Sequence, residues 1–303
     1  MVARSFASLS SNLPHPLINL GEFFFKRPES ELSNSVDFLF THDLDLKTCD
    51  FLQLVFLIEC KYRTRGTIWF FTQHPENDAG EELFIENFLT KGKCNRKSFP
   101  SLTPPLGEKL PITGKGIEIY STGQRNEKSI REGIHQLMFA AGSTFIRAFF
   151  SEDSMIQLMA NRGIDIKGRS YHSLVCPILV TSAELRFLKE MTIEEIEKSE
   201  NLPDISKSEK VITLSTPVPP PYIRRFITEN VAEDAISLLD LSRAIDRDRA
   251  RALRVKTFLT KYSMLLPSRY YIVKYQSIRE FVQKYISFAS ALLTFAHKTK
   301  EVK

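Results

Sequence analysis

Leu54, Val55, Phe56, Leu57 and Ile58 form an unbroken apolar run that ends abruptly in Glu59, Cys60, Lys61, Tyr62 and Arg63. A run of this length and kind predicts a strand covered on both faces. Side chains alternate along a strand, so Glu59 and Lys61 fall on one side of the sheet and Cys60 on the other. A second apolar segment, residues 36–40, carries Asp37 near its start, and residues 41–50 between the two segments are rich in polar turn formers. An antiparallel hairpin folded near Thr48 sets Asp37 across from Glu59, with Lys61 one pleat beyond. Three residues distant in sequence thus converge.

The rest of the first half supplies further elements. Residues 21–26 read as an early strand followed by a turn over 28–35, and residues 67–71 as another short strand. Residues 74–124 are rich in Pro, Gly, Lys and Asn without a sustained period, and read as an insertion or a long excursion. A helix begins near Asn126, with Ser129 and Glu132 placed for a capping box. Ile130, Ile134, Leu137, Met138 and Ala141 form its apolar stripe, and Gly142 is the expected terminator. Lys128, Arg131 and His135 lie on its polar side and Gln136 on a flank. Residues 173–181 read as a second buried strand.

The last third changes character. Residues 191–208 are charged and helical in pattern, with a break near Pro203. Consecutive prolines over 216–221 favour an extended connector. Beyond it, residues 229–265 read as a helix with Val231, Ala235, Leu238, Leu239, Leu241 and Ile245 on an apolar side; the mixed charges of 243–251 read as a solvated, salt-bridged face rather than a DNA-facing one. Residues 277–298 form a final amphipathic helix, suited to packing on its neighbour or on a partner subunit. The expected organisation is a domain over 1–215 with an insertion near 74–124, a Pro-rich connector over 216–228 and a helical region over 229–303.

Composition narrows the class without deciding it. A chain of 303 residues, 43% hydrophobic and 25% charged, buries a substantial core in ordinary globular fashion. Its 23 Phe read as core rather than as stacking platforms. A net charge of +5 suits a polyanionic partner without requiring one. Cys49, Cys60, Cys94 and Cys176 lack the close spacing of a zinc site, and read as free thiols in a reducing compartment. The six His form no two-His helix motif, and no Walker-type phosphate loop is present. Residues 1–21 hold no acid and read as a frayed start; with no run of about 18 apolar residues, a cytoplasmic protein is expected.

An acid opening one strand and Glu-x-Lys closing its partner resembles the pattern of the PD-(D/E)XK nuclease superfamily, the restriction-endonuclease-like fold, most closely its Mrr-like and resolvase-like branches. The resemblance covers roughly residues 21–181, its sharp motif running from Asp37 through Arg63. It implies an α/β mixed sheet flanked by helices, in the order strand, strand, strand, helix, strand. It also implies that Asp37 and Glu59, with the Cys60 carbonyl, hold Mg²⁺ or Mn²⁺ in its place, and that Lys61 assists the reaction. Gln136 sits where related nucleases often carry a polar residue. A third acid is open among Glu22, Glu29 and Glu31, with Glu22 preferred because it precedes an apolar strand. Lys61, Arg63 and Arg65, extended by Lys128 and Arg131, are the candidate positive rim for nucleic acid. The long excursion at 74–124 departs from the family's shorter passage between strand and helix.

The expected function is metal-dependent cleavage of nucleic acid, DNA first. Two other readings stand beside it: a silent nuclease-like subunit that binds nucleic acid or scaffolds a complex, and an interaction protein whose C-terminal helices meet a partner or a second copy. In the last case Glu59 and Lys61 would be an ordinary exposed pair of small value.

Overall fold

The computed structural model describes residues 2–11, 13, 16–26, 33–46, 50–73, 84–90, 93–99, 112–126, 128–161, 170–189, 191–199, 202–215, 221 and 269–301. The chain opens with helix α1 (Val2–Ser10), then β1 (Ile18–Asn19), β2 (Phe23–Lys26), β3 (Ser33–Val36), β4 (Phe38–Leu46), β5 (Asp50–Lys61) and β6 (Ile68–Gln73). Next come β7 (Phe84–Thr90), β8 (Lys93–Phe99), β9 (Ile112–Ile119) and β10 (Arg125–Asn126), before the long helix α2 (Lys128–Asn161). Strands β11 (Ser170–Thr181) and β12 (Glu184–Leu188), the short helices α3 (Ile193–Lys198) and α4 (Leu202–Ile205), and strands β13 (Lys207–Glu209) and β14 (Val211–Ser215) follow. Strand β15 (Arg269–Lys274) and helix α5 (Ile278–Glu301) complete the described chain.

The sheet is mixed and runs β1-β4-β5-β11-β15-β14-β9-β6-β12-β13. Strand β5 pairs antiparallel with β4, from Phe38 opposite Ile58 to Leu46 opposite Asp50, and parallel with β11 along its whole length. A parallel pair needs a crossover, and α2 lies within it. This double pairing explains the unbroken apolar run. Val55 and Leu57 enter the core beneath α2, beside Ile130, Ile134 and Leu137, while Leu54, Phe56 and Ile58 enter the core beneath α1 and α5. A smaller cluster joins Phe70 and Ile117 to Ile193, Ile196 and Leu202 of α3 and α4.

Several expectations change. Val2, Phe6 and Leu9 are buried on α1, so the N-terminal segment is a packed helix and not a frayed start. Residues 41–46, expected as turn, continue β4, because Phe38, Phe40 and Leu44 keep period-2 contact with the α1–α5 core through the polar stretch. The stretch over 74–124 contributes the hairpin β7–β8 and strand β9 of the main sheet. Strands β2 and β3 form a two-stranded sheet of their own. Gly142 does not end α2, which continues to Asn161. The capping box at Ser129 does not form either. Asn126 accepts the Lys128 N–H at 2.8 Å, and the Ser129 hydroxyl is taken by Arg63. A capping box does stand at α3, where Thr192 and Glu195 exchange hydrogen bonds of 3.2 and 2.7 Å.

The region over 229–303, expected to be helical, supplies β15 to the middle of the sheet, parallel to β11 and antiparallel to β14. Its last helix packs on α1, β4 and β15, burying Phe281, Val282, Tyr285 and Ile286. The Pro-rich connector expected over 216–228, Pro221 apart, and the helix expected over 229–265 lie outside the described residues, as do Glu29, Glu31, Cys49 and the turn at Thr48.

One close approach limits what β9 tolerates. Gly116 stands opposite Phe71, and a Cβ placed there would meet the Phe71 ring, itself fully buried. Gly116→Ala should therefore cost about 1–3 kcal/mol through overpacking, read as a fall in thermal midpoint. An unchanged midpoint would show that the ring can move.

Candidate active site

The chain leaves the sheet at the end of β5, and what holds that end decides where its polar side chains point. Thr181 Oγ1 donates to the Lys61 carbonyl at 2.9 Å and accepts the Ala183 N–H at 3.1 Å. Ser182 Oγ accepts the Arg63 N–H at 2.7 Å. Residues 61–63 are thus tied to the end of β11.

Within this frame Glu59 and Lys61 share the α2 side of β5. Lys61 Nζ donates to Glu59 Oε1 at 2.7 Å and to Gln136 Oε1 of α2 at 3.0 Å. Glu59 is 4% exposed and the Lys61 side chain 23%, so this is a half-buried ion pair and not an ordinary exposed one. Gly133 makes room for it on α2: a Cβ there would lie 2.8 Å from Leu179 and 3.4 Å from the Lys61 stem.

Asp37 occupies the bend where β3 passes into β4, one residue beyond the Phe38–Ile58 pair. Its Oδ2 accepts the Cys60 N–H at 2.6 Å, so the acid of one strand grips the peptide between Glu59 and Lys61 on the next. The Cys60 thiol packs on the opposite side, against the core beneath α1 and α5. Burial, followed by the Asp37 and Glu59 carboxylates and the hydrogen bond with Asp37, pushes this thiol up to about 12. The group is raised in the folded state, so the stability it contributes is present below its ordinary value of 9.0 and is lost as pH rises toward about 12. Tyr270, raised by burial, acts in the same direction. Urea midpoints should stay level up to about pH 9 and fall beyond it, less steeply in Cys60→Ala.

The other candidates separate. Glu22 lies just before β2 and is hydrogen-bonded to Ser35 of β3, in the two-stranded sheet. Arg65, Lys128 and Arg131 are exposed. Arg63 is not a free rim cation. It is bound to the Glu118 carboxylate and the Ser129 hydroxyl, and its guanidinium lies 5.8 Å from the centre of the Trp69 ring. The alternation that put Arg63 beside Lys61 also turned it inward, where a buried acid holds it.

Glu118, on β9, is the residue the pattern did not single out. It is 0% exposed and collects Arg63 Nε, Trp69 Nε1 at 2.8 Å and the Tyr120 hydroxyl at 2.9 Å. Asn126 Nδ2 donates to that same hydroxyl at 3.2 Å. A lone acid between Ile117 and Ile119 in a strand pattern was the signal available.

Protein-family models, curated proteins and solved structures hold no match to this chain. Among the described residues no helix is long and apolar enough to cross a membrane, and no group of three or more His, Cys, Asp or Glu side chains could hold a metal ion. What Asp37 and Glu59 offer is two carboxylates flanking one peptide. Their oxygens are of the kind a hard cation takes; here the Asp37 carboxylate is held by the Cys60 N–H and thiol, and the Glu59 carboxylate by Lys61.

Proposed function

We propose that this chain is a metal-dependent nuclease of the restriction-endonuclease-like kind, hydrolysing phosphodiester bonds in nucleic acid, DNA in the first instance. The observation that carries the reading is the gathering of Glu59, Lys61 and Gln136 at the end of β5, with Asp37 bonded to the Cys60 N–H between Glu59 and Lys61. The return of the chain through α2 to a β11 parallel with β5 supports it as well, since the order the resemblance implies also closes on a helix and a strand; β6 to β10 stand between β5 and α2.

In this reading Asp37, Glu59 and the Cys60 carbonyl hold Mg²⁺, or Mn²⁺ in its place. Such an ion supplies an activated water and neutralises charge at the phosphoryl group. Lys61 presents a fixed ammonium where negative charge develops, and Gln136 keeps it from collapsing wholly onto Glu59. Arg65, Lys128 and Arg131 are the cations left to meet phosphates once Arg63 is committed to Glu118.

The test is incubation of the purified protein with a panel of nucleic acids, in Mg²⁺, in Mn²⁺ and in chelator. Cleavage that needs the ion, with binding that weakens steeply as salt rises, is the expected result. Salt-dependent binding without cleavage would move the assignment to a silent nuclease-like subunit. No binding at low salt would favour the interaction protein, although α5 buries its apolar side on the sheet and α1.

A further inference from the structure

A cavity of about 370 Å³ opens past the end of β5, lined by Arg63, Thr64, Tyr120, Asn126, Lys128 and Glu132 among others. Its size falls in the range of small-molecule sites, which begin at about 300 Å³. It lies along the same two elements as the candidate centre. Arg63 follows Lys61 by two residues, about 7 Å along an extended chain. Glu132 precedes Gln136 by one helical turn, about 6 Å. The cavity is therefore a neighbour of the place where the scissile phosphate would sit, at the remove of about one nucleotide.

Its chemistry is unlike that of a phosphate site. The charge of Arg63 is offset by buried Glu118, so the guanidinium offers a planar, weakly hydrated surface more than a free cation. Tyr120 adds an aromatic ring whose hydroxyl is fixed from two sides, by Glu118 and Asn126. Lys128 stands out at the rim, 72% exposed and 3.5 Å from Glu132. Planar groups within and a cation at the lip suit a base with its sugar-phosphate outside. Aromatic rings and arginine planes are the surfaces on which unpaired bases stack.

The geometry points to this cavity as a nucleobase pocket for an unpaired nucleotide next to the scissile phosphate, which makes single-stranded nucleic acid, or an unpaired stretch of a duplex, the substrate. That the base belongs to a nucleic-acid strand rests on the nuclease reading.

Trp69 is the chain's single tryptophan, lies beneath Arg63 and shares Glu118 with Tyr120, so its fluorescence reports on the pocket. The experiment titrates the full chain, in chelator, with a single-stranded tetranucleotide, the same backbone lacking bases, a duplex and a mononucleotide. The tetranucleotide should bind about tenfold or more tightly than the abasic strand and the duplex, and shift the Trp69 emission. Tyr120→Ala, and Thr64→Phe, which fills the cavity from its exposed edge, should each erase that preference, while Tyr120→Phe keeps it. Equal binding of abasic and intact strands overturns the pocket, as does a normal preference in Thr64→Phe. A mononucleotide as tight as the tetranucleotide overturns the strand assignment in favour of free nucleotides. Because no metal is present, the two readings fail separately. Base-dependent binding by a wild type that cleaves nothing upholds the pocket and rejects the nuclease, whereas cleavage with base-independent binding does the reverse.

Discussion

Glu118→Gln is expected to lower the unfolding free energy by about 3 kcal/mol, the largest effect of any single polar substitution considered. Removing one partner of a buried ion pair costs about 3–5 kcal/mol because the other charge stays behind without compensation. The lower figure applies because the Arg63 side chain keeps 19% exposure and can draw on water. Glutamine still offers one oxygen to Trp69 Nε1 or to Arg63, but it cannot balance the guanidinium. A double-mutant cycle with Arg63→Met checks the cause. The pair changed together should be less destabilised than the two single effects added, since neither charge is then stranded. Denaturant unfolding followed through Trp69 fluorescence gives all four corners. Strict additivity would show that Glu118 acts through its bonds to Trp69 and Tyr120 and not through charge.

Glu59→Gln is expected to reduce cleavage by about 10²-fold or more, because it removes a charge that would hold the ion and a partner that orients Lys61. Lys61→Met should do the same while leaving Glu59 for the metal. Asp37→Asn should abolish metal-dependent cleavage at little structural cost. Asp37 is exposed and the amide oxygen can still accept the Cys60 N–H, so about 1 kcal/mol is the most it should lose. Steady-state cleavage and thermal midpoints measured on the same preparations separate lost chemistry from lost folding. Wild-type activity in Glu59→Gln would end the nuclease reading, since no other buried acid stands beside Lys61 among the described residues.

The pairing of Glu59 with Lys61 and the nearness of Asp37 to the same strand end were legible because they depend on short-range regularities: period-2 alternation along one strand and the register of one hairpin. The same was true of Gln136, which helical spacing put on a flank of α2. The hairpin register did not foretell that Asp37 bonds the Cys60 N–H and thiol and not the Glu59 side. Glu118 was not legible as a partner of Arg63, because their contact needs β6 and β9 to pair and α2 to begin beside them, all non-local events. Strand β9 itself was obscured by Gly114 and Gly116, which weaken a strand pattern, though Gly116 is there to admit Phe71. In β15 the signal existed. Tyr270, Tyr271, Ile272 and Val273 form a compact aromatic and β-branched run between Arg269 and Lys274, but a helical expectation for the whole region hid it.

The position of β15 has a consequence for how the molecule is made. By strand pairing, β1, β4, β5 and β11 form one half of the sheet and β14, β9, β6, β12 and β13 the other, with β15 the strand between them. During synthesis from the N-terminus, every other strand of both halves is complete while residues 269–274 are still to come. Until then β14 and the Ile178–Thr181 end of β11, beyond the short pairing with β7 at His172 and Ser173, present unpaired edges, which are templates for association with other chains. The last described strand is thus a keystone set after the arch, and the nascent chain must be kept from its neighbours for the time it takes to add more than fifty residues beyond β14, several seconds at about 5–20 residues per second.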